Sequence, residues 1–141
     1  MIIKQLSVFL ENKSGRLTEV TRILNEENVN ISAFSIADTA DYGILRMIVS
    51  NPDKAEKALK GKSFSVHITE VVCLVVPHEP GGLYRALEIL SKSNISIEYM
   101  YAFAQSDSAS VIIRSNPINE TIRVLQDHKM ELVAASDIYD L

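Results

Sequence analysis

The segment NKSGRLTEVTRIL, residues Asn12–Leu24, recurs in altered form as HEPGGLYRALEIL, residues His78–Leu90, 66 positions further along the chain. In both segments a turn of small residues and glycine opens onto a stretch whose apolar residues are spaced three or four apart, which is typical of an amphipathic helix. A chain of 141 residues that carries this turn-into-helix element twice is predicted to be a duplicated fold.

Further matches under the same shift fall at turns and core positions: Gly15 with Gly81, Leu17 with Leu83, Ile23 with Ile89, Asn28 with Asn94 and Ile31 with Ile97. The triplet SNP at Ser50–Pro52 matches SNP at Ser115–Pro117 if one residue is lost in the hairpin region. We therefore predict two copies of one supersecondary unit, residues 1–69 and 70–141.

Each copy has the pattern strand, helix, strand, strand, helix, strand. In copy one, alternation of Leu6, Val8 and Leu10 with Gln5, Ser7 and Phe9 predicts a strand. The first helix is predicted to begin near Gly15 and to bury Leu17, Val20 and Leu24. A hairpin is expected across the polar turn Asp38–Asp41.

The second half of copy one follows from local signals. Asn51 before Pro52 is a helix N-cap with proline at the first helical position. That helix is predicted to bury Ala55, Ala58 and Leu59, and FSVHIT (residues 64–69) closes the copy as a strand. Copy two repeats this order and ends with MELVAASDIY (residues 130–139) as its final strand.

This order predicts an α+β fold of two ferredoxin-like βαββαβ repeats, each an antiparallel-containing four-stranded sheet with two helices on one face. No Gly-, Pro- or Ser-rich linker lies between Phe64 and Val76, so the copies are not expected to swing freely. Val71, Cys73 and Val75 are apolar where copy one has Gln5, Ser7 and Phe9, which predicts that the first strand of copy two is covered on both faces.

Composition excludes several function classes. A net charge of −4 argues against nonspecific binding to nucleic acid or to an anionic membrane surface. The longest apolar run, VVCLVV, is too short to span a bilayer, and MIIKQLSVFL lacks a signal-peptide pattern. The single cysteine, Cys73, rules out an intrachain disulfide, and we expect a cytoplasmic protein.

Catalytic chemistry is not expected. The sequence has no nucleophile beside a general base, no phosphate-binding loop and no recognisable carboxylate pair. His67, His78, His128 and Cys73 share no metal-ligand spacing, so neither a metal site nor a cofactor is predicted.

A tandem βαββαβ repeat whose first turns read N-x-S-G-x-L and H-x-P-G-x-L resembles the ACT domain family of regulatory modules, many of which bind amino acids. The resemblance covers the whole chain, twice, and no catalytic domain accompanies it. It implies a ligand site between paired copies, at the turn before the first helix. Residues at matching positions are Asn12, Ser14, Gly15, Arg16, Leu17 and Asn30 in copy one, and His78, Pro80, Gly81, Gly82, Leu83 and Ser96 in copy two.

Several of these residues also have a purely structural interpretation. Gly15 and Gly81 could serve only the turn, and Asn12 could serve only as a helix cap. Asn30 in a strand favours a polar role, because asparagine is disfavoured there. His78 replaces Asn12 and Ser96 replaces Asn30, so the copies are not equivalent. Either one copy has lost binding, or each binds a different ligand or ligand end.

The leading hypothesis is a regulatory protein that binds a free amino acid, forms a homodimer and acts on a partner protein. The alternative is a ligand-free structural or interaction module that assembles with itself or with another chain. An RNA-recognition function, suggested by topology alone, fails because the third strands ILRMIV and SVIIR carry no aromatic residues.

Overall fold

The computed structural model describes residues 1–38 and 41–141. Thr39 and Ala40, in the predicted hairpin turn Asp38–Asp41, lie outside the described residues. The elements are β1 (Ile3–Glu11), α1 (Arg16–Glu26), β2 (Ile31–Asp38), β3 (Tyr42–Val49), α2 (Pro52–Gly61), β4 (Ser65–Pro77), α3 (Gly82–Lys92), β5 (Ile97–Gln105), β6 (Ser108–Ser115), α4 (Ile118–Asp127), β7 (Glu131–Leu132) and α5 (Ala135–Tyr139).

The chain forms two compact units whose ends are exchanged. The first unit contains Lys4–Thr69 together with Ser136–Leu141. The second unit contains Met1–Ile3 and Glu70–Ala135. Met1–Ile3 therefore belong to the unit formed mainly by the second half of the chain, and Ser136–Leu141 belong to the unit formed mainly by the first half.

In the first unit the strand order is β2-β3-β1-β4. Residues 65–69 of β4 belong to this unit and residues 70–77 to the second. β3 pairs antiparallel with β1, where Met47 faces Leu6, and with β2, where Met47 faces Phe34. The inward strand residues pack with both α1 and α2 into one core, which places the two helices on the same face of the sheet. This core contains Leu6, Val8, Leu10, Val20, Ile23, Leu24, Val29, Leu45, Met47, Val49, Ala55, Leu59, Phe64 and Val66.

The second unit repeats the arrangement. Its strands run in the order β5-β6-β4, and β7 also pairs with β4. β6 pairs antiparallel with β4, where Ile113 faces Val72, and with β5, where Ile113 faces Met100. Residues of α3 and α4, among them Ala86, Leu90, Val124 and Leu125, complete its core. The predicted fold class is confirmed in both units.

The structure corrects the predicted loss of a residue in the second hairpin. Leu10 pairs with Gly43 and Val76 pairs with Ala109, so the 66-residue shift still holds in the third strand of each unit. The shift also holds at the next helix, because α2 begins after Asn51 and α4 begins after Pro117, which is 66 residues further along. The two SNP triplets therefore occupy positions one residue apart, and their identity is not a structural equivalence.

The predicted helix signals in copy one are confirmed. The Asn51 side chain accepts a hydrogen bond of 3.2 Å from the Lys54 N–H, and Pro52 is the first helical residue. Ala55 and Leu59 are fully buried, and Ala58 packs against the same core. Leu17 is the exception: it is 40% exposed, and Ile23 takes its place in the core beside Val20 and Leu24.

The predicted final strand is wrong beyond its first residues. β7 contains only Glu131 and Leu132, and the chain then forms α5. α5 packs on the first unit, where the Tyr139 hydroxyl accepts a 2.8 Å hydrogen bond from the Lys4 N–H and Ile138 is 1% exposed. The apolar residues that were interpreted as strand alternation thus lie in a short helix, in which only Ile138 is buried.

The first strand of copy two has the burial predicted for it, whereas that of copy one differs at Gln5. Val71 and Cys73 are buried and Val75 is half-buried, as an apolar strand face requires. Gln5 was expected to lie on a polar outer face, but it is fully buried and donates a 3.2 Å hydrogen bond to the Ser7 hydroxyl. This hydrogen bond offsets part of the free-energy cost of burying the Gln5 amide.

Candidate functional site

Each unit contains a turn that leads from its first strand into its first helix. Turn A comprises residues 12–15 between β1 and α1, and turn B comprises residues 78–81 between β4 and α3. Both turns end on a glycine in the left-handed conformation, with φ of 89° at Gly15 and 88° at Gly81. This region of backbone space favours glycine, so both residues are required by the turn itself.

The two turns share one pattern of backbone hydrogen bonds. The Asn12 N–H donates to the carbonyl of Asp41 at 3.1 Å, and the His78 N–H donates to the carbonyl of Asp107 at 2.8 Å. Each turn is thereby tied to the hairpin that follows the second strand of its unit. Asp41 and Asp107 were not predicted to be near the turns, and the 66-residue shift between them is the signal that could have found them.

The helices that follow the turns begin without a side-chain cap. Gly15 and Gly81 are the N-cap residues, and neither has a side chain that could accept a hydrogen bond from the first helical turn. Their carbonyls accept the first helical bonds, from the N–H of Glu19 at 2.9 Å and from that of Arg85 at 3.1 Å. The Arg16 N–H donates to the Lys13 carbonyl at 3.4 Å, and the Gly82 N–H donates to the Glu79 carbonyl at 3.1 Å. The N–H groups between these and the first helical bonds have no intrahelical acceptor and suit an anionic group such as a carboxylate.

Turn A borders an open, polar pocket. The pocket has a volume of about 210 Å³ and is lined by Glu11, Asn12, Lys13, Asp41 and Tyr42. The Lys13 ammonium lies 2.8 Å from a Glu11 carboxylate oxygen, and this hydrogen bond and the positive charge lower the pKa of the Glu11 carboxyl. The predicted site residues Asn12 and Ser14 are exposed beside this pocket.

Arg16 is the first residue of α1, and its guanidinium contacts side chains of its own unit. Its Nη1 lies 3.2 Å from a Glu19 carboxylate oxygen, and its Cζ lies 4.7 Å from the centre of the Phe64 ring. A guanidinium on an aromatic face is stabilised by the ring's quadrupole. Arg16 is thus occupied by a cation–π contact and an ion pair.

Turn B is more crowded. A Cβ at Gly82 would lie 2.2 Å from the Pro77 carbonyl oxygen, so only glycine fits at this position. A Cβ at Gly81 would lie 3.0 Å from Arg85 Nη1, whereas nothing lies within 4 Å of the corresponding point at Gly15. Gly82 therefore has a packing role, which the resemblance alone did not distinguish from ligand contact.

The two leucines of the predicted site differ in their surroundings. Leu17 lines an apolar recess of about 90 Å³, together with Thr21, Ile31, Phe34, Leu45 and Met47. Leu83 is half-buried and packs against the core of the second unit. Pro80 is exposed within turn B, and so is His78.

Asn30 and Ser96 do not join the turns of their own units. Asn12 bonds to Asp41 at the start of β3, whereas the Asn30 carbonyl accepts a 2.9 Å bond from the Ser50 N–H just past the end of β3. The eight residues of β3 span about 26 Å. Ser96, which immediately precedes β5, lies at the corresponding end of β6 in the second unit.

The Asn30 side chain has a local structural role. Its Nδ2 donates to the Leu141 carbonyl at 3.3 Å, and its backbone N–H donates to the Ser50 hydroxyl at 2.9 Å. Asn30 also precedes β2, which begins at Ile31, so it does not occupy the strand position that was predicted to make asparagine unfavourable.

Two further polar side chains, those of Arg114 and His67, have partners within their own unit. Arg114 donates to a Glu98 carboxylate oxygen at 3.2 Å and to the Glu70 carbonyl at 2.8 Å. His67 makes an edge-to-face contact with Phe9, with ring centroids 5.9 Å apart. Within residues 1–38 and 41–141, no group of three or more potential metal ligands comes together, and no helix is long and apolar enough to cross a membrane.

Solved structures with similar folds include one with high sequence identity. The crystal structure of a protein from Bacteroides thetaiotaomicron is 55% identical, with a TM-score of 0.97, and the match covers 100% of this chain and 98% of that one. No curated protein sequence matches the chain significantly.

Two more distant structures show the same fold. The regulatory subunit of aspartate kinase from Thermus thermophilus, in its ligand-free form, is 12% identical with a TM-score of 0.65, over 90% of this chain and 94% of that one. The regulatory subunit of aspartate kinase from Thermus flavus is 12% identical with a TM-score of 0.60, over the same shares. A family model described as an ACT domain pair matches residues 1–141 in full, and the chain therefore belongs to the family of ACT domain pairs.

Proposed function

We propose that this protein is a regulatory module that binds a free amino acid at the turns between the first strand and first helix of its units. The observation that carries the proposal is the repeated glycine turn, which presents an uncapped helix N-terminus in a member of the ACT pair family. The regulatory subunits that share the fold support the regulatory role.

The chemistry of the turns suits the two charged groups of an amino acid. The N–H groups that follow those of Arg16 and Gly82 in the first turn of α1 or α3 would bind the carboxylate. At turn A, Asp41 and Asn12 line the adjacent pocket, and carboxylate and amide oxygens are groups that accept hydrogen bonds from an ammonium group. At turn B, His78 stands where turn A has Asn12, so the two turns offer different surroundings to the same ligand class.

Regulation would follow from binding without catalysis. A ligand that binds one arrangement of the protein better than another shifts the population towards the first. We propose that this shift is transmitted to a partner protein and that the module acts as a homodimer in the cytoplasm. The one cysteine, Cys73, is free and buried, which is compatible with a reducing compartment.

Thermal unfolding in the presence of each of the twenty amino acids, at millimolar concentration, tests the proposal. A ligand at about 100 times its dissociation constant adds roughly 2.7 kcal/mol to the free energy of unfolding, which raises Tm by several degrees. Gly15→Ala and Gly81→Ala should reduce the shift. Gly61→Ala is the matched control, because Gly61 lies outside both turns and nothing lies within 4 Å of its Cβ position. A flat panel would contradict the proposal.

A second candidate function is assembly without a ligand. Phe34 is 62% exposed and Ile36 is 46% exposed on β2, which lies at the edge of the first unit's sheet. Exposed apolar side chains on an edge strand favour contact with another chain. Light scattering on Phe34→Ser tests this function, with Tyr84→Ser as a control for loss of an exposed aromatic residue on α3. If the protein assembles through β2, Phe34→Ser should give a smaller particle than the natural protein, and Tyr84→Ser should not.

A further inference from the structure

A pocket of the first unit lies between the end of α1 and the exposed side of α2. It has a volume of about 460 Å³ and is lined by Glu27, Lys54, Lys57, Ala58, Gly61 and Lys62. All six residues belong to the first unit, and none of them belongs to turn A. The volume lies within the range of about 300–1,000 Å³ that is typical of small-molecule sites. We call this space the lysine pocket.

The three lysines of the pocket carry positive charges that no nearby carboxylate neutralises. In the part of the chain that the structure describes, none of the three forms an ion pair. The two carboxylates of α2 are paired elsewhere, Asp53 with Lys4 and Glu56 with Lys60. Glu27 is half-buried and supplies the one negative charge of the lining. Three lysines less one glutamate leave the lining with a net charge of +2, in a chain whose net charge is −4.

The corresponding surface of the second unit has a different charge pattern. Under the 66-residue shift, three lining positions carry other residues in α4, namely Glu120 for Lys54, Arg123 for Lys57 and Asp127 for Gly61. The Arg123 guanidinium forms ion pairs with both of these carboxylates. The repeated fold therefore does not require unpaired lysines on this face of the helix.

Two residues of the lysine pocket are unfavourable for α2 itself. Lys54 lies in the first turn of the helix, at the positive end of the helix dipole, where an acidic residue is more stabilising. Gly61 is the last helical residue, its φ is not left-handed, and nothing lies within 4 Å of its Cβ position. Neither conformation nor packing requires glycine there, and alanine is the better helix former. Both residues thus favour the pocket at the expense of the helix.

We propose that the lysine pocket binds the phosphate group of a small phosphate monoester. Such a group carries a charge of about −1.5 to −2 at neutral pH, which matches the net charge of +2 on the lining. Lysine ammonium groups bind phosphate as point charges on flexible stems. The absence of a side chain at Gly61 leaves room for the organic part of the ligand. This site is separate from turns A and B, and the inference does not rest on the proposed function.

Binding to the lysine pocket should be weak and sensitive to salt. The three lysine side chains are exposed, and exposed charges are screened over about 8 Å at physiological ionic strength. We therefore expect a dissociation constant on the order of 1 mM for a small phosphate monoester.

The experiment titrates ¹⁵N-labelled protein with glucose 6-phosphate at constant ionic strength and follows the backbone amide resonances. We expect saturable shifts at Lys57 and Gly61 and none at Gly81, and glucose without phosphate should shift none of them. Lys57→Gln should weaken binding at least about threefold. Lys60→Gln is the matched control, because it removes the same charge from the same helix outside the pocket, and it should change affinity less than about twofold.

Two further variants test the charge of the pocket in opposite directions. Lys54→Glu introduces the residue that α4 has at this position, so it should raise the unfolding midpoint without ligand and weaken binding at least about tenfold. Glu27→Gln removes the one negative charge of the lining and should strengthen binding about two- to fivefold.

Absence of a saturable shift at Gly61, or equal affinities of Lys57→Gln and Lys60→Gln, would overturn the inference. A phosphoserine-containing glycine pentapeptide serves as the second probe. If it binds more than about tenfold tighter than glucose 6-phosphate, the ligand is a phosphorylated protein segment and the assignment to a small molecule is wrong. None of these outcomes changes the thermal response to free amino acids that tests the proposed function.

Discussion

Gly82 and Pro77 approach each other so closely that a Cβ on Gly82 would lie 2.2 Å from the Pro77 carbonyl oxygen. This contact joins the last residue of β4 to the first residue of α3 and fixes the path of turn B between them. The clash is with backbone, which cannot be relieved by rotating a side chain.

Gly82→Ala should therefore destabilise the protein by about 2–3 kcal/mol or more, because the backbone must move to admit the methyl group. Chemical denaturation measures the change. Gly61→Ala is the control: nothing lies within 4 Å of its Cβ position, and it should leave stability unchanged or raise it by up to about 1 kcal/mol. Equal stability of the two variants would contradict the close approach.

Asn51→Ala should reduce the free energy of unfolding by about 1 kcal/mol, because the Lys54 N–H at the start of α2 loses its side-chain acceptor. Asn119→Ala, an exposed position in the first turn of α4, should change stability by less than about 0.5 kcal/mol. The comparison uses urea denaturation midpoints. A larger effect at Asn119 would refute the assignment of Asn51 as the cap.

Asn30→Ala should lower stability by about 1 kcal/mol, since it removes the hydrogen bond from Asn30 Nδ2 to the Leu141 carbonyl. Hydrogen exchange should show faster exchange of the amides in residues 136–141 and little change in turn A. Asn25→Ala, at an exposed position on α1, is the control. Unchanged protection of the last six residues would show that this bond does not hold them.

Burial raises the pKa of the Cys73 thiol from 9.0 to about 11, and a hydrogen bond with Ser110 opposes the rise. The folded state therefore favours the neutral thiol, and the associated stability is complete below pH 9 and is lost as pH rises from 9 to 11. The loss should approach about 1.4 kcal/mol per pH unit in that window.

Unfolding free energies of the natural protein and of Cys73→Ala, measured from pH 7 to pH 11, test this expectation. The advantage of the natural protein over the variant should be constant up to about pH 9 and should shrink above it. A difference that stays constant over the whole range would contradict the raised pKa. Thiol reagents at pH 7 should label Cys73 only after unfolding, because the thiol is buried and protonated.

Much of the fold follows from sequence because periodicity and capping are local. Alternation of Leu6, Val8 and Leu10 and the Asn51–Pro52 pair predicted β1 and the start of α2. The match between the two SNP triplets gave a wrong alignment of the repeats. The true alignment is set by strand pairing, such as that of Val76 with Ala109, and three identical residues do not reveal it.

The candidate site was less predictable from sequence. The glycine turns before the helices were expected from the resemblance, but the position of a side chain across a turn depends on its partners. Arg85 and Glu79 form an ion pair across turn B only because the helix begins at Gly82. The opposite charges of Glu19 and Lys13 at the equivalent positions were visible in the aligned repeats. The separation of Asn30 from turn A in the same unit depends on the length of β3, which matching of motifs does not report.

The assignment of Ser136–Leu141 to the first unit has a consequence for the newly made chain. On the ribosome, residues 4–69 emerge well before the segment that supplies Ile138 and Tyr139, whose burial and hydrogen bond complete that unit. The first unit must therefore wait for the whole of the second to be synthesised before it reaches its final packing. Its final packing therefore forms late, although most of its residues are synthesised before those of the second unit.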